Sequence, residues 1–268
     1  MGVARRFRGW WGTLALASLL ASLLVAALAG CGTSGTAGPP QGATLPTATP
    51  LQPSPTATVA VPTRDATFTT PDGVWLDGTL YGSGTTGVVL SHQVNGQQSQ
   101  WMYFARALAA HGYLALTFDF RGHGASEGTA DTAKEDIDLR AAVKFLRGQG
   151  AKQIALMGAS LGGAVTLRVA ATESVVAVAT LSAVAQWSTQ PVTDAIIKAI
   201  KAPTLFINSK LDPAAGDTQH MYDVAAPPKA IHLYEGNEHG VALFGGPNGD
   251  DLDQRLLTFM ATYAPATK

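Results

Sequence analysis

Short apolar segments that alternate with helical segments constrain the fold of this chain more than any other feature of its sequence. The segment 87–91 (GVVLS) is a short apolar strand, and 113–120 (YLALTFDF) is the next one along the chain. Between them, residues 99–110 repeat large apolar side chains at helical spacing. Strands that are apolar on both faces indicate a parallel sheet with helices packed on each side.

We predict an α/β fold with eight strands, mostly parallel, and an antiparallel hairpin at one edge of the sheet. The predicted strands are 66–70, 74–81, 87–91, 113–120, 153–157, 175–181, 204–208 and 231–234. The predicted helices are 99–110, 133–147, 161–172, 194–200, 218–224 and 251–263. Ligands bind such sheets at the carboxyl ends of the strands, so catalytic residues are expected in the loops at that edge.

Residues 1–31 have the pattern of an export signal rather than of a folded element. Arg5, Arg6 and Arg8 form a basic start, and an apolar run from about residue 10 to residue 29 follows them. Small residues end the run. A basic region, an apolar region and small residues before a cleavage site are typical of a secretory signal.

The end of this run, Leu28-Ala29-Gly30-Cys31, resembles the lipobox of bacterial lipoproteins. The resemblance implies cleavage before Cys31 and attachment of lipid to it, so the protein is expected to be exported and anchored to the cell membrane. Several acyl chains anchor stably, because each buried methylene contributes about 0.8 kcal/mol. An uncleaved membrane anchor and an ordinary signal peptide are the alternatives, since the apolar run is nearly long enough to span a bilayer.

Residues 32–63 predict an extended spacer between this signal and the folded domain, 64–268. Thr, Pro, Ala and Gly dominate the spacer, for example in 46–50 (PTATP), and large apolar side chains are few. Such a segment cannot bury enough apolar surface to fold. Its prolines keep the chain extended and semi-rigid.

Charge and cysteine content exclude several classes of function. The chain has 18 Lys and Arg against 19 Asp and Glu, so no basic excess points to nucleic acid. Cys31 is the only cysteine, which excludes an intrachain disulfide and argues against a cysteine-ligated zinc site. We predict neither a metal nor a cofactor, and composition makes no prediction of oligomeric state.

A G-x-S-x-G pattern, residues 158–162 (GASLG), lies between the predicted strand 153–157 and the helix that follows it. Glycines two before and two after Ser160 allow the strand and the helix to approach closely. The turn lifts the Ser160 hydroxyl above the sheet, and the Leu161 amide at the helix N-terminus points toward a developing oxyanion. The pattern predicts Ser160 as a nucleophile and Leu161 as an oxyanion donor.

A serine nucleophile needs a base, and the base needs an acid that orients it. Asp212 follows the strand 204–208, and His239 follows the strand 231–234. The chain order serine, acid, histidine is that of the α/β-hydrolase family. Residues 66–263 resemble a small member of this family throughout, which implies a triad of Ser160, His239 and Asp212.

Two further loops resemble those of the family. In 92–96 (HQVNG), where the family commonly has His-Gly-X, the X position is Val94, which implies that its amide is the second oxyanion donor. Gln93 replaces the usual glycine and is the alternative donor. In 119–126 (DFRGHGAS), Asp119 and Arg121 are predicted to form a structural ion pair; a substrate-anion site at Arg121 is the alternative.

The short segment between Leu181 and Asp194 leaves no room for a helical cap domain, so the pocket is predicted to be open, with Trp187 as a wall. We therefore predict a serine hydrolase that cleaves carboxylic esters of small or exposed acyl groups through an acyl-enzyme. The alternatives are an amide or peptide hydrolase, as in serine aminopeptidase-like relatives, and a non-catalytic binding lipoprotein on the same fold. An intact set of Ser, Asp and His argues against the second alternative.

Overall fold

Eight strands form the central sheet of the computed structural model, which describes residues 61–187 and 189–267. In chain order they are β1 (Thr63–Thr69), β2 (Trp75–Tyr81), β3 (Thr86–Ser91), β4 (Leu114–Phe118), β5 (Gln153–Ala159), β6 (Ala177–Leu181), β7 (Thr204–Ser209) and β8 (Lys229–Tyr234). The predicted signal segment, Cys31 and all but the last residues of the predicted spacer lie outside the described residues.

The order of strands across the sheet is β1-β2-β4-β3-β5-β6-β7-β8. β2 pairs antiparallel with β1 and with β4, and the other neighbours pair in parallel. The predicted eight-stranded, mostly parallel sheet with an antiparallel hairpin at one edge is confirmed. Every residue of β3, β4, β6 and β7 is buried, because helices cover both faces of these strands.

Helices pack on both faces of this sheet. The α-helices of the described ranges are α1 (Met102–Ala110), α2 (Glu135–Gly148), α3 (Leu161–Ala170), α4 (Asp194–Ala199), α5 (Ala215–Val224), α6 (Ala242–Gly245) and α7 (Gly249–Tyr263). Side chains of α2 to α5 share one apolar cluster with Val89 and Leu116, and those of α1, α6 and α7 share the other with Val88 and Leu90. Successive strand residues thus point into opposite layers, as the strand period of two requires.

The described chain begins and ends at the edge of the sheet where the parallel strands start. Thr63 pairs with Tyr81, and Tyr81 pairs with Ala115 near the start of β4. Close to the other terminus, the Thr85 N–H donates to the Thr267 carbonyl at 2.9 Å. The carboxyl ends of the parallel strands, and the loops that follow them, therefore lie at the opposite edge. No helix within the described ranges is long and apolar enough to cross a membrane.

The predicted ion pair between Asp119 and Arg121 is wrong. The Arg121 guanidinium instead contacts Asp138, with Nη2 at 2.6 Å from Oδ1, and Asp72, with Nη1 at 2.8 Å from Oδ2. Asp119 accepts the backbone N–H of Gln98 at 2.6 Å. The turn after β4 sends the two side chains to different neighbours. The Arg121 guanidinium is buried and donates hydrogen bonds to two carboxylates, so the alternative of a substrate-anion site at Arg121 has no support either.

Glu135, the first residue of α2, is a buried carboxyl. Its side chain is 1% exposed, and Oε2 has no hydrogen-bond partner. Burial is the main reason that the pKa of Glu135 rises to about 7, and the Arg168 charge opposes this rise. When folding raises the pKa of a carboxyl, the protonated carboxyl favours the folded state. This contribution to the free energy of unfolding is complete below the pKa of the unfolded chain, about 4.3. That stabilisation is lost as pH rises through the folded pKa.

We therefore expect the free energy of unfolding to decline between about pH 5 and pH 8, by up to about 2–3 kcal/mol relative to a Glu135→Gln variant. Urea unfolding at a series of pH values measures the difference. Glu127→Gln is the matched control, because it removes the same charge from an exposed position. Parallel pH curves for the natural protein and Glu135→Gln would contradict this account.

Candidate active site

Ser160 stands on a strained turn between β5 and α3. Its backbone has φ 51° and ψ −117°, in a region that side chains with a Cβ seldom adopt. A Cβ at Gly158 would collide with the carbonyl of Gly162, and one at Gly162 would collide with the carbonyl of His92. Glycine at both positions is what allows the strand, the helix and the neighbouring loop to meet around Ser160.

His239 and Asp212 approach Ser160 from two other strand ends. His239 lies in the loop after β8, and its Nε2 is 2.8 Å from the Ser160 hydroxyl oxygen. Asp212 follows β7, and its Oδ2 is 2.6 Å from His239 Nδ1. The Asp212 side chain is fully buried, whereas the His239 side chain is 38% exposed. The structure thus brings the three predicted residues into one hydrogen-bonded chain that opens to solvent at His239.

The hydrogen bonds determine which nitrogen of His239 carries the proton. An ionised Asp212 carboxylate only accepts, so Nδ1 donates to it. Nε2 is then free to accept the proton of the Ser160 hydroxyl. The other Asp212 oxygen, Oδ1, accepts the Ala214 N–H at 2.6 Å, which holds the carboxylate in this orientation. A serine aligned on a neutral imidazole is the arrangement that nucleophilic catalysis requires.

His92, which lies in the loop after β3, has both ring nitrogens hydrogen-bonded to backbone groups. Its Nε2 accepts the Phe120 N–H at 3.0 Å, so Nδ1 carries the proton and donates to the Gln93 carbonyl at 2.8 Å. Burial lowers the pKa of His92 to about 4, which keeps it neutral. With both nitrogens engaged and the ring 1% exposed, His92 is a fixed part of the loop.

The bond from His92 also orients the peptide between Gln93 and Val94. In a trans peptide the C=O and the following N–H point in opposite directions. Since the Gln93 carbonyl points at the buried His92 ring, the Val94 N–H points away from that ring. Leu161, the first residue of α3, belongs to the helical turn whose N–H groups have no intrahelical acceptor.

Sequence analysis missed the side chains that hold the His239 loop. Ser209, at the end of β7, donates its hydroxyl to the Glu238 carbonyl at 2.8 Å. The Gln93 carboxamide oxygen accepts the Val241 N–H at 3.3 Å, so this side chain ties the predicted oxyanion loop to the base loop. Both residues lie at or just after the carboxyl ends of strands, which marks them in the sequence, and Gln93 also replaces the glycine that the family commonly has.

Exposed apolar side chains occur in the segments that follow β6 and β7 at the carboxyl edge of the sheet. Trp187, after β6, is 56% exposed, and Leu211, beside Asp212, is 76% exposed. The described residues between Leu181 and Asp194 form no helix, in keeping with the predicted lack of a cap. Among the described residues, no group of three or more His, Cys, Asp or Glu side chains is arranged to hold a metal ion.

Comparison with known proteins matches residues 82–267 to the model of the Alpha/beta hydrolase family. An uncharacterised protein of Mycobacterium tuberculosis (strain H37Rv) is 35% identical over 127 residues, or 44% of this chain and 45% of the relative. A polyketide transferase of a Penicillium species is 34% identical over 132 residues, or 44% of each chain. The matched segment spans less than half the length of these curated relatives.

Solved structures show the same fold. An esterase of Pyrococcus furiosus superposes with a TM-score of 0.67 at 22% identity, covering 76% of this chain and 93% of the esterase. An α/β-hydrolase from a Penicillium species superposes with a TM-score of 0.65 at 20% identity, covering 75% of this chain and 99% of the other.

Proposed function

This chain belongs to the alpha/beta hydrolase family, and we propose that it is a serine hydrolase that cleaves carboxylic esters through an acyl-enzyme. The hydrogen-bonded chain from Ser160 through His239 to Asp212, with distances of 2.8 and 2.6 Å, carries this proposal. It lies at the carboxyl edge of the sheet, where the loops of such folds bind ligands. The likeness to solved esterases supports the same class of reaction.

In the proposed reaction, the Ser160 oxygen attacks the ester carbonyl carbon while His239 Nε2 takes the hydroxyl proton. The N–H groups of Leu161 and Val94 stabilise the negative charge that develops on the carbonyl oxygen. When the tetrahedral intermediate collapses, the bond to the alcohol breaks and His239 returns the proton to the leaving oxygen. A water molecule then attacks the acyl carbon while His239 takes its proton. The bond between that carbon and the Ser160 oxygen breaks, the acid leaves, and His239 returns the proton to Ser160. Asp212 holds His239 in its tautomer and stabilises the imidazolium.

The lack of a helix among the described residues between Leu181 and Asp194 favours substrates whose acyl group is small or stays exposed. Trp187 and Leu211, in the segments that follow β6 and β7, are more than half exposed. Such a site binds through the reacting group and a limited apolar contact rather than through a deep acyl tunnel. We therefore expect hydrolysis of short-chain esters to exceed that of long-chain esters.

A fluorophosphonate probe tests the proposal, because it labels a serine only when a base activates it. We expect the natural protein to be labelled and Ser160→Ala to remain unlabelled. A panel of p-nitrophenyl esters of graded chain length, beside aminoacyl p-nitroanilides, then separates ester from amide hydrolysis. Absence of both labelling and turnover in the folded protein would instead support a non-catalytic binding role on this fold.

We also propose that the protein is exported and anchored to the cell membrane by lipid on Cys31. The lipobox-like sequence and the lone cysteine support this.

For this anchor, we expect Cys31→Ser to abolish incorporation of labelled palmitate and to leave the protein unprocessed by lipoprotein maturation, because the thiol is the attachment point. Cells fed labelled palmitate provide the measurement. Ser160→Ala serves as the control, since it leaves the signal intact and should be labelled normally. Palmitate on the Cys31→Ser protein would show that the lipid attachment site has been wrongly assigned.

A further inference from the structure

A buried chain of hydrogen bonds runs behind His239 and begins at Ser182. Ser182 follows β6 and is completely buried. Its hydroxyl oxygen accepts the N–H of Gly240 at 2.9 Å and donates its own proton to Asn208 Oδ1 at 2.6 Å. The Gly240 N–H belongs to the peptide that joins it to His239, so Ser182 contacts the backbone of the general base directly.

The chain continues from Asn208 to the loop that carries Asp212. Asn208 Nδ2 donates to Thr218 Oγ1 at 2.9 Å, and Thr218 Oγ1 donates to the Ala214 carbonyl at 3.1 Å. The Ala214 N–H in turn donates to Asp212 Oδ1 at 2.6 Å. Together with the bond between Asp212 and His239, these contacts close a ring. Its three linking side chains, Ser182, Asn208 and Thr218, are at most 1% exposed.

Backbone strain at Ser182 is a second observation. Within the described ranges, the residues other than glycine with positive φ are Asn95, Ser160 and Ser182, at 54°, 51° and 50°. All three follow parallel strands at the carboxyl edge of the sheet. Strain of this kind persists only where the surroundings enforce it, and it concentrates at functional sites. Asn95 and Ser160 belong to the oxyanion loop and the nucleophile turn, which leaves Ser182 without a role in the mechanism so far.

We propose that Ser182 is a positioning residue for His239, which acts through the Gly240 peptide and links the base loop to the acid loop. This inference rests on the proposed function. The position requires one group that accepts from Gly240 and donates to Asn208 at the same time, and a hydroxyl does both. A satisfied buried network of this kind fixes a unique geometry, whereas a broken one leaves polar groups unpaired.

Two substitutions separate the hydroxyl from the strain. Ser182→Ala removes the hydroxyl and keeps a Cβ at positive φ, whereas Ser182→Gly removes the hydroxyl and relieves the strain. We expect both to lower kcat on the order of 10- to 100-fold with KM nearly unchanged, because small misplacement of a catalytic group has costs of this size. We also expect Ser182→Gly to resist urea better than Ser182→Ala. If Ser182 positions His239, kcat should depend on the presence of the hydroxyl and not on the free energy of unfolding of the variant.

Ser91→Ala is the matched control. Ser91 ends the neighbouring strand β3, is equally buried, and its hydroxyl has no hydrogen-bond partner. Its loss should therefore leave kcat unchanged. If both Ser182 variants fail to fold, Thr218→Val interrupts the same ring from α5, and we expect it to lower kcat on the order of 10-fold.

Proton NMR gives a readout that does not depend on turnover. His239 Nδ1 donates its proton to Asp212 Oδ2, and the two atoms are 2.6 Å apart. In such a short charge-assisted hydrogen bond, the proton should resonate far downfield in the natural protein. We expect this resonance to broaden or move in both Ser182 variants and to stay in place in Ser91→Ala. The pH profile of kcat/KM should shift in parallel, since it reports the titration of the base.

Unchanged kcat and an unchanged Nδ1 resonance in the folded Ser182 variants would overturn this proposal. So would a loss of kcat that simply follows the loss of stability across the variants. Failure of the proposed function looks different. In that case the natural protein neither reacts with fluorophosphonate nor hydrolyses esters, while the NMR comparison still shows whether Ser182 positions His239.

Discussion

Alanine at Ser160 or at His239 is expected to lower kcat on the order of 10⁶-fold each, and the double variant hardly further. The two residues act as one unit, because the Ser160 proton has its acceptor in His239 Nε2 at 2.8 Å. Asp212→Ala should lower kcat by less, on the order of 10⁴-fold. Asp212 orients and stabilises the base but does not exchange the proton with substrate.

These substitutions should leave the fold intact. The three side chains lie in loops and turns at the carboxyl edge of the sheet and contribute little to the apolar layers. Steady-state hydrolysis of p-nitrophenyl acetate measures kcat, and circular dichroism checks the fold. His220→Ala is the control histidine, because the His220 side chain is 61% exposed and pairs with Asp194 on α4. It should retain full activity.

The expectation that the two substitutions are not additive in their effect on kcat is the more specific test. If Ser160→Ala and His239→Ala multiplied their effects in the double variant, the two groups would be acting in separate steps. A folded His239→Ala protein with more than about one per cent of the natural kcat would mean that another group accepts the serine proton, given the size of effect expected for a base.

Arg121→Met is expected to produce the largest loss of stability, about 3–5 kcal/mol, because it leaves a buried carboxylate without its partner. The Arg121 side chain is 3% exposed, and that of Asp138 is fully buried. Burial raises the pKa of Asp138, and the hydrogen bonds from Arg121 oppose this rise. Without Arg121, Asp138 must either stay ionised with no countercharge or take up a proton. Asp72, at the surface end of the pair, can turn toward water.

A double variant distinguishes a lost ion pair from lost packing. Arg121→Met combined with Asp138→Leu removes both charges, and we expect it to be more stable than Arg121→Met alone. Urea unfolding of both variants gives the comparison. Arg255→Met is the control, since its side chain and that of its partner Asp251 are 35% and 55% exposed, and this pair within one helix should contribute about 0.3–0.5 kcal/mol. If Arg121→Met lowered the free energy of unfolding by no more than Arg255→Met does, the buried ion pair would not stabilise the turn after β4.

The sequence alone was enough to predict the sheet and to select the three residues of the proposed triad. Strand and helix periods are local properties, so the eight strands and their mostly parallel pairing followed from short stretches of chain. Ser160 could be selected from the G-x-S-x-G pattern, and Asp212 and His239 from the chain order of the α/β-hydrolase family, which the sequence resembles. Each of the three follows a predicted strand, and parallel strands bring their carboxyl ends to the same edge. The structure then joins them within hydrogen-bonding distance.

Partner choice between distant side chains was decided only by the tertiary structure. Arg121 lies two residues from Asp119, yet it pairs with Asp138 in α2 and with Asp72 in a hairpin turn, because the chain direction after β4 sets which carboxylates it can reach. No local pattern carries that direction. The ring from Ser182 through Asn208 to Thr218 joins three elements in the same way. Serine, asparagine and threonine are ordinary loop and strand-end residues in a sequence. They acquire a role only where packing excludes water and leaves each polar atom to find its partner inside the protein.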